Sequence, residues 1–375
     1  MGEFLKNPKV LFLIDSLQTG GTENSLLETV SRFRKIEPII YYLFPRHDLR
    51  EKFINAGIRI KCLEVGDKNL VSRIRTFNKF VSEERPKAIV TTLFKSDLVA
   101  RLAHFFNGLP LVGTFVNDSY ASSRYRSLNS WGKIKLRSYQ FLDKLTSRVH
   151  HAFIANGENI RAANAEVLGI NLRKIIVIYR GRDPDLFKPL VNRDLLKKKF
   201  LAIGRLIYRK GHADLLLAME KVLKKYPDST LTIAGDGPER SKLEKTCAKL
   251  GLQKYIQFAG TVQQVEVLLN ESSFFVLPSH YEGFSGALIE AMLNEMPIIA
   301  SAISMNQEAV SHLETAFLFE PGNCESLAQA MLWMIENSDK AKEMARKARQ
   351  QAIQEFNIRK IADQYEEYLL SVVQN

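Results

Sequence analysis

The stretch HYEGFSGALIEAM, residues 280–292, carries two glutamates, Glu282 and Glu290, separated by seven small or apolar residues. The 283–286 turn opens an apolar helix and Pro297 closes it. The first amides of such a helix, Gly286 to Leu288, lack intrahelical partners and sit at the positive end of its dipole, which makes them an anion site. Gly283 and Gly286 let a ligand approach the backbone with no Cβ in the way. Glu290, one turn in, leans back toward the same point. An ionised carboxylate only accepts hydrogen bonds, so it needs hydroxyl donors. A nucleotide diphosphate sugar offers phosphates to the amides and hydroxyls to the glutamates. Taken alone, the pair reads equally well as a solvated helix face with an N-terminal dipole partner.

A second set supports the ligand. AIGRLIYRKG places Arg205 and Lys210 just after the first strand of the second half of the chain, where phosphate-facing loops lie. A forked guanidinium and a point-charge ammonium suit two phosphates. IAGDGPER, with Gly235, Gly237 and Pro238, is by itself ordinary strand-to-helix turn chemistry.

These residues need a scaffold, and the chain is long enough for one. Its 375 residues leave room for two domains, and 46% hydrophobic with 25% charged residues is the balance of a folded protein. KVLFLID, PIIYYLF, IRIKCLEV, AIVTTLF, LVGTFV, HHAFIAN and KIIVIY predict strands, alternating with helix-length segments. After RGRDPDLFKPLVNRDLLKKK the alternation restarts with FLAIGRL, STLTIAG, YIQFAG, SFFVLPS, PIIAS and AFLFEPG. Near-continuous Val/Ile/Leu runs joined by helical crossovers mark parallel strands buried on both faces. The expected fold is α/β: two Rossmann-like, doubly wound domains facing a central cleft. The expected boundaries are an N-terminal domain over 1–180, a linker over 181–198, a nucleotide-sugar domain over 199–357, and a C-terminal helix over 358–375 crossing back to the N-terminal domain.

In their order and spacing, GRL…KG, GDGPE, FAGTV, FFVLPS, EGFSGALIE and PIIAS resemble the retaining glycosyltransferases of the GT-B fold, family 4, glycosyl transferases group 1. LQTGGTEN is similar to that family's glycine-rich loop after the first strand. The resemblance implies that Glu290 binds ribose hydroxyls and that Glu282 lies at the transferred sugar. It implies that the amides of Gly283, Phe284, Ser285, Gly286, Ala287 and Leu288 hold sugar and diphosphate. Arg205 and Lys210 would neutralise the leaving group, Val262 would border the base, and Gly20 and Gly21 would approach the diphosphate from the other domain. The donor it implies is a nucleotide diphosphate sugar; a UDP-sugar carrying a hexose or N-acetylhexosamine is the expectation, with the sequence specifying neither base nor sugar. No metal is expected, since the site has cations of its own and Asp183-Pro184-Asp185 falls in the linker. Where many members carry a histidine, this chain reads GTFVNDSY, which makes Asn117 and Asp118 the acceptor-side candidates. Asn117 can bond a hydroxyl but is no base; Asp118 is a base or a turn residue. Asn294-Glu295 replaces a small-Gly pair, a matter of packing.

The charge of the chain is lopsided. Residues 1–180 hold 29 Lys+Arg against 16 Asp+Glu, while residues 181–375 hold 24 against 25. The resemblance implies that the N-terminal half holds the acceptor, and that half is the basic one. Its densest piece, 124–148, has seven Lys/Arg against one acid, interleaved with Tyr125, Trp131, Tyr139 and Phe141. Basic residues mixed with aromatics suit an anionic membrane surface; without a nucleic-acid motif, nucleic acid is not expected. A solvated helix with its aromatics in the core remains the plain alternative. The start of the chain shows no cleavable signal pattern, Lys6 does not suit myristoylation at Gly2, and the three scattered cysteines suit a reducing cytoplasm. The expected place is the cytoplasm, peripheral on the inner face of the membrane, with a saccharide or lipid-linked acceptor in surface polysaccharide or lipopolysaccharide synthesis. Two other readings stay open: a transferase acting on a free sugar or small metabolite, and a non-catalytic glycan-binding relative.

Overall fold

The computed structural model describes residues 7–63, 69–126, 128–191 and 193–374; the myristoylation reading at Gly2 and Lys6 lies outside them. The chain forms two compact units, Met1–Gly181 with Ile358–Asn375, and Arg182–Asn357.

The first unit is built on β1 (Lys9–Ile14), β2 (Glu37–Tyr42), β3 (Arg59–Cys62), β4 (Ala88–Thr92), β5 (Leu111–Phe115), β6 (Ala152–Ala155) and β7 (Ile175–Val177). Their order in the sheet is β3-β2-β1-β4-β5-β6-β7, all parallel. Alternation within KVLFLI splits the core into two layers. Val10, Phe12 and Ile14 pack with Ile40, Tyr42, Ile361 and Leu369. Leu11 and Leu13 pack on the other face with Ile39, Tyr41, Phe77 and Val99. A strand buried on both faces has no polar side, which is why the run is apolar throughout. The helix Ile358–Gln374 belongs to this unit. Its buried Glu366 accepts from the amides of Arg34 (2.7 Å), Lys35 (2.5 Å) and Ile36 (2.9 Å), holding the turn before β2.

The second unit is built on β8 (Lys199–Ile203), β9 (Thr230–Ala234), β10 (Ile256–Gly260), β11 (Phe274–Leu277), β12 (Ile298–Ser301) and β13 (Phe317–Phe319). Their order is β10-β9-β8-β11-β12-β13, again parallel. Phe200, Ala202, Ile233 and Val276 pack there against Leu216, Met219 and Met331. Because β8 lies between β9 and β11, the loops leaving their carboxyl ends are neighbours. These are the GRLIYRKG, GDGPE and PSHYEGFSG segments, so parallel topology alone gathers them.

The segment after Gly181 is held to this unit. Arg193 donates to the carbonyls of Leu269 (2.5 Å), Ser272 (2.6 Å) and Asn294 (2.9 Å) and to Asn294 Oδ1 (2.5 Å). Asn294 is fully buried and donates in turn to Lys188 O (2.9 Å) and Asn270 Oδ1 (3.0 Å). Glu295 takes the left-handed conformation, φ 54°, at the end of the preceding helix. Asn294 therefore anchors Lys188 and Arg193 as well as packing.

Candidate active site

Gly211 has φ +69°, and a Cβ there would stand 1.9 Å from Pro278 O, so the loop after β8 lies directly against the loop after β11. That approach brings Lys210 onto Glu282, with Nζ donating to Oε1. Ser279 Oγ donates to the other carboxylate oxygen at 2.8 Å. Burial pushes the Glu282 carboxyl up, but Lys210, Ser279 and Arg209 outweigh it and hold the group below its usual range. The two loops are tied twice more: His280 N donates to Arg209 O at 2.8 Å, and the His280 ring packs edge-on against Tyr208 at 5.0 Å. His280 Nε2 also lies 2.5 Å from Asp214 Oδ2. His212 is buried, its Nδ1 has no partner among the described residues, and burial followed by the Lys210 charge pushes it down to about 4, so it is neutral.

Gly235 (φ +138°) and Gly237 place the neighbouring GDGPE loop against the carbonyls of Gly204 and Leu206, where a Cβ would sit at 2.0 and 2.4 Å. This loop braces the GRL loop. Arg205, at its tip, is exposed, and Lys210 lies over Gly204, with Cδ 3.5 Å from a Cβ built there. Val262 is half-buried in the loop after β10.

The helix that follows Glu282 runs Gly286–Leu293, with Ser285 as an extended N-cap whose side chain makes no capping bond. Its first i→i−4 bond is Ile289 N to Ser285 O (3.4 Å), so the amides of Gly286, Ala287 and Leu288 have no carbonyl of their own helix to donate to. Gly283 and Ser285 are buried, and Phe284 packs edge-on against Phe356 at 5.2 Å. Glu290 lies one turn in and accepts from Arg182 Nε at 2.6 Å. Arg182 runs along the helix start, so that a Cβ at Gly286 would meet its Nη2 at 2.2 Å. Glycine at 286 therefore makes room for an arginine as well as for any ligand. Arg182 was read from sequence as the start of a linker, and no local signal marks it. His212 and Ser279 were also missed, although the polar pair Ser279-His280 just before Glu282 is a visible cue.

In the first unit, Gly20 caps the helix Gly21–Val30 in extended conformation, φ −158°. The Glu23 carboxylate folds over it: Oε2 is 2.4 Å from a Cβ built on Gly20. Burial raises the Glu23 carboxyl, with Asp15 adding to the effect. An anion brought to Gly20 and Gly21 would meet that carboxylate. Asn117 Oδ1 accepts from Ser119 Oγ (2.8 Å) and Asp118 Oδ1 from Tyr120 N (3.3 Å), so both side chains are engaged in their own turn. Burial raises the Asp118 carboxyl. Among the described residues no group of three or more His, Cys, Asp or Glu is arranged to hold a metal ion.

Two family models match the chain in tandem: Glycosyltransferase Family 4 over residues 19–186 and Glycosyl transferases group 1 over residues 187–351. The chain is 29% identical over 162 residues to a 2-deoxystreptamine N-acetyl-D-glucosaminyltransferase of Niallia circulans, covering 43% of this chain and 42% of that one. It is 26% identical over 312 residues to a UDP-Gal:alpha-D-GlcNAc-diphosphoundecaprenol alpha-1,3-galactosyltransferase of Escherichia coli, covering 79% and 78%. The chain spans about half the length, or less, of the first curated relatives it matches, 42% and 48% for two of them. Of solved structures, Anabaena Alr3699/HepE in complex with UDP and glucose matches with TM-score 0.84 and 22% identity over 97% of this chain and 100% of that one. At that identity the likeness is one of fold.

Proposed function

The chain belongs to the glycosyl transferases group 1 and family 4 glycosyltransferases and has their GT-B fold, and from that premise we propose that it is a retaining hexosyltransferase. The donor is a UDP-sugar carrying a hexose or N-acetylhexosamine. The acceptor is a saccharide on a lipid carrier, and the setting is surface polysaccharide or lipopolysaccharide assembly at the cytoplasmic face of the membrane. The observation that carries the reading is the Lys210–Glu282 pair, buried at the start of the helix Gly286–Leu293. It puts a cation and an ionised hydroxyl acceptor just ahead of three amides that have no carbonyl of their own helix to donate to.

Each group then has a task. The amides of Gly286 to Leu288 and the Arg205 and Lys210 cations hold the diphosphate, and the second glutamate, Glu290, takes the ribose hydroxyls. Glu282 orients the transferred sugar, and Val262 borders the base. The bond from the anomeric carbon to the phosphate oxygen breaks, and its electron pair leaves with UDP. Arg205, Lys210 and the amides stabilise the charge that develops there, as preorganised donors do. An acceptor hydroxyl forms the new bond on the same face, and its proton passes to the departing phosphate oxygen. His212, neutral and buried, keeps that ammonium from facing a second cation. UDP is supported as the nucleotide by the E. coli galactosyltransferase named for UDP-Gal and by the Anabaena complex with UDP.

The acceptor is assigned to the first unit, and its surface supports the membrane part of the reading. The helix Ser130–Thr146 turns Leu136 and Asp143 inward, while Trp131 (79% exposed), Ile134, Phe141 (67%) and Leu145 face out along one stripe flanked by Lys133, Lys135 and Arg137. Phe105 and Phe106 are also exposed. Among the described residues no helix is long and apolar enough to cross a membrane.

The test is incubation with a panel of UDP-, GDP- and ADP-sugars in excess EDTA. UDP release, and a product anomer matching the donor by NMR, are expected. Inversion, a different nucleotide, or activity that returns only with Mg²⁺ or Mn²⁺ would overturn the corresponding part.

A further inference from the structure

A cavity of about 100 Å³ opens in the first unit beside the carboxyl ends of β4 and β5, and none of the residues assigned to the donor lines it. A water takes up about 10–15 Å³ on this scale, so the space suits one ring-sized group better than a single ion. Its polar wall is peculiar in what it leaves unused. Asp97, 8% exposed, accepts from the Thr91 hydroxyl through Oδ1. Its Oδ2 is 3.7 Å from Arg101 Nη2, beyond hydrogen-bond reach. Arg101 is directed elsewhere, to Asp143 Oδ1 (2.6 Å), Thr146 Oγ1 (2.9 Å) and His150 Nδ1 (3.3 Å). Tyr120 Oη donates to the other oxygen of Asp143 at 2.8 Å, so both oxygens of Asp143 accept a hydrogen bond and only one of Asp97 does. Asn164, 2% exposed, donates from Nδ2 to Ile160 O (2.8 Å) and Asn117 O (3.2 Å). Its Oδ1 accepts from nothing among the described residues. Arg124, which also lines the cavity, donates to Ser119 O at 2.7 Å. Phe94 and Tyr139, their rings 4.9 Å apart, line the same cavity.

Two acceptor oxygens with no donor among the described residues, in positions that line the same cavity as an aromatic pair, suit a ligand that supplies hydroxyl donors and a C–H face. Two carboxylates in the wall disfavour an anion. We propose that this cavity is the acceptor-sugar subsite: Asp97 Oδ2 and Asn164 Oδ1 each accept from a hydroxyl of one pyranose ring, whose apolar face lies on Tyr139. The proposal rests on the glycosyltransferase reading above and specifies where the acceptor is held. It also moves the acceptor-side role from Asp118, which is bound up in its own turn, to Asp97.

The test uses ligand-observed saturation-transfer NMR on the full chain with the methyl glycosides of glucose, galactose, mannose and N-acetylglucosamine. UDP binding by calorimetry is followed alongside. At least one glycoside is expected to bind the wild type. Asp97→Asn should raise its Kd about ten- to a hundredfold, as loss of a hydrogen bond to a charged group does. Tyr139→Ala, at a partly exposed position that tolerates truncation, should also weaken it, and UDP affinity should stay within twofold in both variants. Unchanged glycoside binding in both variants, or no binding of any glycoside to the wild type, overturns the subsite. Failure of the wild type to bind UDP sinks the donor reading instead and leaves the glycoside result to stand by itself.

Discussion

Arg182 Nε donates to Glu290 Oε1 across 2.6 Å, and the same guanidinium fills the space that a side chain at Gly286 would need. The carboxylate assigned to the ribose therefore has one oxygen fixed by a positioning residue 108 positions away in sequence. Arg182→Ala is expected to weaken UDP binding by at least about tenfold, since a hydrogen bond to a charged group contributes ~1.5–3 kcal/mol. Glu290→Gln should weaken UDP and UDP-sugar alike, whereas Glu282→Gln should spare UDP and impair only the sugar-bearing donor. Calorimetry with both ligands decides it. Tighter UDP binding in Arg182→Ala would mean that the guanidinium obstructs the site, and equal losses of bare UDP affinity in the two glutamine variants would overturn the division of roles.

Lys210 and Arg205 are assigned to one leaving group but differ in setting. Removing either should cut turnover by roughly two to three orders of magnitude, the effect of losing a preorganised charge-stabilising donor. Lys210→Ala should also lower the melting temperature, because it strands Glu282 without its counterion at a site where both side chains are about 90% buried. Arg205→Ala, at an exposed loop tip, should melt like the wild type. Steady-state rates and thermal melts on the two variants separate these claims. Near-normal turnover in either refutes its assignment, and identical melting shifts refute the structural distinction.

Much of this arrangement is legible from sequence, and the rest fails for identifiable reasons. All thirteen apolar runs read as strands contain one, because a strand buried on both faces writes its burial into consecutive residues. The start of the Gly286–Leu293 helix and the place of Glu290 on it follow from local turn chemistry. Arg182 is hidden because its partner is fixed by tertiary packing, and a lone arginine among prolines and charges looks like any solvated loop. Asp97 is hidden for a similar reason: in FKSDLVA it reads as a first-turn helix acid, and only the diversion of Arg101 to Asp143 leaves it short of a donor. The 130–146 stripe is ambiguous in sequence since an apolar face is written the same way whether it meets a core or a membrane.

Asp97 also gives stability a pH dependence. Burial pushes its carboxyl up to about 6 from the usual 3.8, with Asp143 and Asp15 adding to the push and Arg101 and the Thr91 hydroxyl opposing it. His150, buried beside it, is held well below its ordinary range and stays neutral. A carboxyl raised in the folded state favours the fold while protonated. That contribution is complete below pH 3.8 and is lost as pH rises through about 6. The Asn variant has no such proton to lose. Its melting temperature relative to wild type should therefore climb between about pH 4.5 and about pH 7.5. Melting curves that run parallel across that range would show that Asp97 is not raised.

The membrane assignment rests on an amphipathic surface whose two components respond differently to salt. Lys133, Lys135 and Arg137 are exposed beside the stripe formed by Trp131, Ile134, Phe141 and Leu145. Each basic residue near an anionic surface contributes about 1 kcal/mol. The attraction fades as the Debye length falls from ~10 Å at 0.1 M salt to ~3 Å at 1 M. Co-sedimentation with vesicles should accordingly require anionic lipid and weaken with salt. Replacing Lys133, Lys135 and Arg137 by Ser should release the protein without altering UDP binding in the second unit; Arg124 is left in place because it lines the cavity beside Asp97. Trp131→Ala should weaken attachment by a factor that salt does not change, because apolar burial is not screened. Phe105→Ser should do the same if the exposed phenylalanines of the helix Phe94–Asn107 share the surface. Equal binding to neutral and anionic vesicles, or none to either, would reject the membrane reading and favour an acceptor met in solution.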